Sequence, residues 1–258
     1  PKILFGGFSD IRPMPGGELI EALADSYHRV GLDDTIVVTR SNKRANIFNQ
    51  GIRNMVLDRE EELESGDIVM IVKNNYYWTE KERKELQART PNAPSTDIPA
   101  FLANGDRAKV LKVRRRIDLY GFRFATLLLQ FPDYNNYEME ATVLLDTLTS
   151  EAPALTHEQQ GQLFRQVEED YQDVPLKADR MKAIRQDAYY NALQVKFAYA
   201  VTCHKAQGGQ WAHVYVDQGY MTDDMLTPDY IHWLYTAFTR ATEMLYLVNW
   251  PEMQTATY

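Results

Sequence analysis

The chain has 258 residues, 45% of them hydrophobic, a formal charge of −8 and one cysteine. That length supports one large or two modest domains with a sizeable core, and no run approaches the roughly 18 consecutive apolar residues of a membrane helix. The acidic excess argues against a DNA-coating protein, but leaves open a nucleic-acid enzyme, whose field at a groove is local. The lone Cys203 excludes an internal disulfide framework and a cysteine-rich zinc site, and it fits a reducing, cytoplasmic setting. The first residue is Pro1, followed by strand-like "KILFGG"; we expect a fragment of a longer protein, or a processed N-terminus.

In chain order, "GGELIEALADSYHRVG" spaces Leu19, Ile20, Leu23, Ala24 and Tyr27 as a helix closing at Gly31. "TIVVT" (35–39) is a short β-branched run that predicts a strand buried on both faces. Ser41 then caps a second helix carrying Ala45, Ile47, Phe48 and Ile52. Helix, buried strand and helix predict an α/β layer with a parallel sheet. From about 66 to 150 the pattern changes. A strand lies within 64–78, a Pro/Asn/Ser-rich loop or short helix within 79–100, and alternating strands turn at Asn104-Gly105 and Gly121 before "EMEATVLLDTL". These predict a small inserted antiparallel barrel. Residues 151–189 read as a helical connector with Leu163, Phe164, Val167 and Tyr171 on one face. The α/β character resumes from 190, with strands at 197–201, 213–217 and 244–249 and a helix at 228–239. The first unit is therefore expected to be discontinuous, 1–65 and 190–258.

The stretch "FAYAVTCHKAQGGQWAHVYV" (197–216) sets donors between two apolar strands. Ligands of α/β sheets bind beyond the strands' carboxyl ends. Thr202 offers a hydroxyl, His204 a ring, Lys205 a cation, Gln207 an amide, and Gly208-Gly209 exposed backbone N–H groups. Such groups suit phosphate oxygens of a nucleic-acid backbone. Arg240, where a helix passes into a strand, and Arg40, directly after "VVT", can each aim a guanidinium fork at a phosphate.

Each feature also has a plain structural reading. His204 could cap or face solvent, Lys205 could be solvated, Arg240 could pair with Glu243, and Arg40 could mark helix entry. The glycines could serve turn geometry alone. "RRRIDLYGFRF" could be a soluble strand face or a nucleic-acid patch. Cys203 reads as a small buried filler.

Order and spacing add a resemblance. "YAVTCHKAQGGQW" resembles motif V, T-x-H-[KR]-[AS]-Q-G-[ST]-E-[WF], of the second RecA-like domain of superfamily 1 DNA helicases. "YTAFTRATEMLYLV" resembles motif VI, and "VVTRSNKRAN" is similar to motif IV. "SGDIVMIVKNNY" and "LANGDRAKV" resemble the SH3-like barrel inserted by the RecD-like, exonuclease V alpha subunit-like and Dda-like branch. The resemblance implies a RecA-like parallel sheet flanked by helices, carrying an inserted SH3-like barrel. It implies that Thr202, His204 and Lys205 contact single-stranded DNA. Gln207, Gly208 and Gln210 would lie toward the nucleotide, and Arg240 and Arg40 would reach the γ-phosphate of ATP. Implied partners are single-stranded DNA, a P-loop domain of the same parent chain, and other repair subunits, with no membrane.

The chain departs from the pattern at Gln210, where the family usually has glutamate, and it contains no G-x-x-x-x-G-K-[ST]. ATP and Mg²⁺ would then be held mainly by the other domain, and this chain alone is expected to be catalytically inactive. The leading alternative is a non-enzymatic single-strand-binding module of a repair or recombination complex. A nuclease is a further rival, although no clustered D…E-x-K pattern stands at a strand end.

Overall fold

A computed structural model describes residues 2–91, 94 and 97–256. It divides into two compact units: residues 1–60 with 198–258, and residues 61–197.

The first unit opens with β1 (Ile3–Leu4), β2 (Ile11–Met14), α1 (Leu19–Arg29), β3 (Thr35–Thr39) and α2 (Asn42–Gly51). Gly31 follows α1 at φ 90°, a conformation glycine adopts without steric cost, and its N–H closes onto the Tyr27 carbonyl at 3.1 Å. All five residues of β3 are buried, as expected of a central parallel strand. The Ser41 hydroxyl accepts the Arg44 N–H at 3.2 Å and caps α2. Past Gly51 the helix widens into one π turn, Ile52–Val56.

The second unit carries β4 (Ile68–Ile71), α3 (Tyr77–Arg89), β5 (Arg107–Leu119), β6 (Phe122–Phe131), β7 (Tyr137–Leu144), α4 (His157–Asp170), α5 (Lys177–Arg185) and β8 (Leu193–Phe197). The five strands close into a barrel. Every pair is antiparallel except β7 with β8. Tyr120 and Gly121, at φ 57° and 74°, form the two-residue hairpin between β5 and β6. Two register shifts in β5 bend the strand, as closure of a small barrel demands. Helices α4 and α5 lay Leu163, Val167 and Ile184 onto Phe122, Phe124 and Leu144 of the barrel. The stretch expected to be a connector thus packs within this unit, which runs 61–197 where 66–150 was expected. The stretch 79–100, expected as a loop or short helix, is helical in its first part, as α3, and its positions 92–93 and 95–96 lie outside the described residues.

The chain then returns to the first unit through β9 (Ala200–Thr202), α6 (Cys203–Ala206), β10 (Trp211–Asp217), α7 (Pro228–Phe238), β11 (Ala241–Val248) and β12 (Thr255–Ala256). The apolar run around 197–201, expected as one strand, is two. Phe197 ends the barrel strand, and Ala200 opens a strand of the other sheet. That sheet is wholly parallel, in the order β2-β11-β10-β3-β9, and β1 pairs separately with β12. Edge strand β9 is protected by a buried helix side chain. Asn49 of α2 donates to the Ala200 carbonyl at 2.9 Å and accepts its N–H at 2.7 Å. The architecture is the expected one, a parallel α/β sheet flanked by helices with a small inserted barrel. Among the described residues, no helix is long and apolar enough to cross a membrane.

Candidate functional site

The donor-rich stretch is a crossover inside the first unit. Thr202 pairs with Thr39 at the carboxyl end of β3, whereas Trp211 pairs with Ala241 at the amino end of β11. Strands β9 and β10 run parallel on either side of β3. Residues 203–210 must therefore travel back along the sheet from one edge to the other. The turn expected there is a one-turn helix, α6, and then Gln207 in extended conformation.

Burial alternates sharply along this segment. Cys203 and Ala206 face inward at 4% and 0% exposure, while His204, Gln207, Gly208 and Gln210 are exposed. The Cys203 thiol donates to the Trp233 carbonyl at 3.6 Å, and burial pushes its pKa up to about 11. It is the small buried filler that the sequence suggested. Thr202 takes the N-cap position of α6 without a side-chain capping bond, so its hydroxyl is not spent on the helix. Lys205 is half-buried, and desolvation holds its ammonium below the usual lysine range.

At the amino edge, Arg240 closes over the same crossover. Its Nε donates to the Thr236 carbonyl, its Nη1 to the Gly209 carbonyl and its Nη2 to the Thr239 hydroxyl, each at 3.0 Å. Its own carbonyl accepts the Trp211 N–H at 2.9 Å. Three of the five guanidinium N–H donors are thus used within the protein. Pairing with Glu243 is not observed; that carboxylate stands 4.0 Å from His213 instead. The two glycines have different tasks. Gly208 sits at φ 87°, and a Cβ on Gly209 would meet the Trp211 ring at 2.4 Å.

Arg40 lies elsewhere. It is exposed after β3, donates to the Met221 sulfur, and sits 5.8 Å from the ring centroids of both Tyr230 and Trp233. Those rings stack at 6.3 Å. Extended by one or two positions, the strand registers put Arg240 level with residue 210, just before β10, and Arg40 level with residue 218, just after it. At about 3.3 Å per residue, some 25 Å separates them. The structure does not bring the two expected phosphate arginines together, because one follows a strand and the other precedes one. It brings Arg40 to the edge of Thr202, and Arg240 to the edge of Gly208, Gly209 and Gln210.

Sequence reasoning missed Arg44 and Asp217. Arg44 Nε and Nη2 donate to the Asp217 carboxylate at 2.9 and 2.8 Å, which raises the arginine's pKa. Asp217 is 2% exposed at the carboxyl end of β10. The only signal for it was an acidic residue ending an apolar strand. The arginine-rich strand resolves toward its plain reading: Arg114 pairs with Glu140 at 2.7 Å, Arg116 with Glu61 at 3.2 Å, and Arg123 with Glu62 and Asp146. Among the described residues, no three His, Cys, Asp or Glu side chains are grouped to hold a metal.

One comparison with known proteins has a matched range that includes this crossover. The family model of the UvrD-like helicase C-terminal domain matches residues 197–248, from the end of β8 through β11. No curated protein matches the chain. Among solved structures, the chain is similar to the crystal structure of Pif1 helicase from Candida albicans, at 14% identity and a TM-score of 0.39. That similarity covers 87% of this chain and 47% of the other, so the chain spans about half the length of that helicase.

Proposed function

We propose that this chain is the second motor half of an ATP-dependent superfamily 1 DNA helicase. The crossover would grip single-stranded DNA, and Arg240 would address a nucleotide bound by a P-loop domain of the parent chain. One observation carries the reading: a single short segment ties both clusters together. Thr202 and His204 stand at its carboxyl-edge end, and Gly209 at its other end is held by Arg240. In this reading a shift at the arginine would be passed through about one turn of helix to the exposed donors. The UvrD-like match over 197–248 includes both ends.

The residues fit a flanking contact on a phosphate. Arg240 keeps two N–H donors beyond its three internal bonds, and Gln207, Gly208 and Gln210 are exposed beside it. The sequence contains no G-x-x-x-x-G-K-[ST] phosphate cradle. ATP would be held with Mg²⁺ by the P-loop domain of the parent and would supply the hydrolysable γ-phosphoryl group. Arg240 would stabilise charge developing there, as an arginine finger does. Its guanidinium is already oriented, so little reorganisation is required. Arg40 belongs in this reading with Thr202 and His204 on the strand-gripping edge, since it lies about eight strand positions from Arg240. Assignment to the RecD-like and Dda-like branch, and to a repair complex, rests on the spelling of the motifs.

The test is DNA-stimulated ATP hydrolysis by the full-length parent. Loss of turnover in Arg240→Ala, with weakened DNA stimulation in His204→Ala, supports the motor. Unchanged turnover in both favours the alternative, a single-strand-binding module without catalysis.

A further inference from the structure

The barrel unit contains a cavity of about 190 Å³, lined among others by Lys73, Tyr76, Tyr77, Gln160, Tyr190 and Asn191. Its size is the first constraint. Sites for drug-sized ligands run from roughly 300 to 1,000 Å³, so this one has room for a single planar ring and not for a whole nucleotide.

Its polar walls are fixed by their own bonds. The Asn191 amide donates to the carbonyls of Arg185 and Asp187 at 3.0 and 2.7 Å. The Asn191 backbone carbonyl accepts Asn75 Nδ2 and Trp78 Nε1, both at 2.9 Å. Gln160 Oε1 accepts Lys73 Nζ and Gln194 Nε2, both at 3.2 Å. Gln194 is itself fixed by the Leu155 N–H at 2.9 Å. Among the described residues this leaves, without hydrogen-bond partners, the Gln160 amide N–H group, Asn191 Oδ1, and the hydroxyls of Tyr77 and Tyr190. The unused groups thus include a locked donor and a locked acceptor, set among aromatic rings. At the rim, Tyr76 is 53% exposed and stacks on Phe101 at 4.8 Å, while Lys73 is exposed.

Fixed amide donors and acceptors match the mixed edge of a nucleobase, and exposed aromatic faces are what successive bases of a single strand stack on. The geometry points to this cavity as a pocket for one base of a single-stranded nucleic acid. Tyr76 stacks the neighbouring base, and Lys73 meets the adjoining phosphate. The assignment rests on the nucleic-acid reading above and adds to it a contact that recognises bases, not backbone.

The experiment measures binding of the full chain to a labelled mixed-sequence single strand and to an abasic strand of the same length. Tyr76→Ala should weaken the base-bearing strand about tenfold, the scale of one lost base–aromatic contact. Gln160→Leu should weaken it by a similar factor through a lost hydrogen bond to the base edge, and both should leave the abasic strand unchanged. Tyr76 is surface-exposed, so its variant should keep the parent's melting temperature. If both variants bind the base-bearing strand as the parent does, while His204→Ala weakens it, the pocket assignment fails and the nucleic-acid reading stands. Equal weakening of both strands also overturns the pocket, because the cavity then reads no base. If the parent binds neither strand, both readings fall.

Discussion

The Arg240 guanidinium donates to the Gly209 carbonyl at 3.0 Å, so the residue at the helix–strand junction holds the far end of the crossover that begins at Thr202. Removing the side chain should therefore have two separable effects. Arg240→Ala gives up three internal hydrogen bonds, and a bond to a charged group contributes roughly 1.5–3 kcal/mol at most when buried. Arg240 is half-exposed, so the loss of stability should stay near the lower figure. In the full-length parent, ATP turnover should fall on the order of 10³-fold if the arginine also meets the transferred phosphoryl group. Denaturant melts and steady-state hydrolysis on the same variant separate the two. A stability loss with unchanged turnover would leave Arg240 a structural clamp.

The adjacent glycines should respond differently to one added methyl. Gly208→Ala places a side chain at φ 87° with no atom within 4 Å. It should cost only backbone strain, about 1–2 kcal/mol. Gly209→Ala drives a Cβ to 2.4 Å from Cη2 of Trp211, which is 3% exposed. Overpacking of this kind typically costs 1–3 kcal/mol, and it also displaces the carbonyl that Arg240 holds. The second variant should melt lower, and it alone should lose the hydrolytic coupling. Equal effects from the two substitutions would contradict the separate roles.

Much of this arrangement was legible in the sequence. The buried β-branched run 35–39, the cap at Ser41 and the helix at 228–238 each carry a local signal that packing did not override. The division at Ala198-Tyr199 carries none. "VKFAYAV" is apolar but for Lys196 and buried on both sides of the break, and only tertiary pairing assigns its halves to different sheets. That Arg40 and Arg240 stand on opposite edges was implicit in a parallel sheet, because one arginine follows a strand and the other precedes one. Which strands lie beside β3, and so where the crossover runs, comes only from the pairing. Nothing in the spacing of α2 singles out Asn49, whose value lies in meeting the backbone of an edge strand distant in sequence.

His204 and Cys203 are neighbours with opposite surroundings, and this makes His204 a clean probe. His204 is exposed, and no hydrogen bond or ion pair of its side chain is seen among the described residues. His204→Ala should leave the unfolding free energy within the narrow range of surface substitutions, about ±0.5 kcal/mol. It should weaken single-strand binding nonetheless. Titrating the parent with salt should show binding falling as phosphate contacts are screened. A variant that binds with the parent's affinity would remove His204 from the interface.

His213 supplies a pH test of the sheet itself. It is 1% exposed, and its Nδ1 lies 2.8 Å from Ser26 Oγ, which lies 2.7 Å from the Tyr215 hydroxyl. Tyr215 donates its one proton to the Ala22 carbonyl at 2.8 Å. The remaining protons then run one way, from His213 Nδ1–H to Ser26 and from Ser26 to Tyr215. The neutral ring leaves Nε2 bare, and that atom has no hydrogen-bond partner. Burial first, and the Arg29 charge second, hold the imidazole pKa below its usual 6.5, partly offset by Glu243 and Asp25. A lowered folded value means that the unfolded chain binds the proton more readily. Stability from this group should be level above about pH 6.5 and should fall as pH drops from there through the folded value. His213→Leu should flatten that limb of the stability curve, because the group that titrates is gone. If denaturant midpoints for the parent and for His213→Leu decline in parallel between pH 7 and pH 5, some other group carries the acid sensitivity, and the one-way proton chain is not what stabilises the neutral ring.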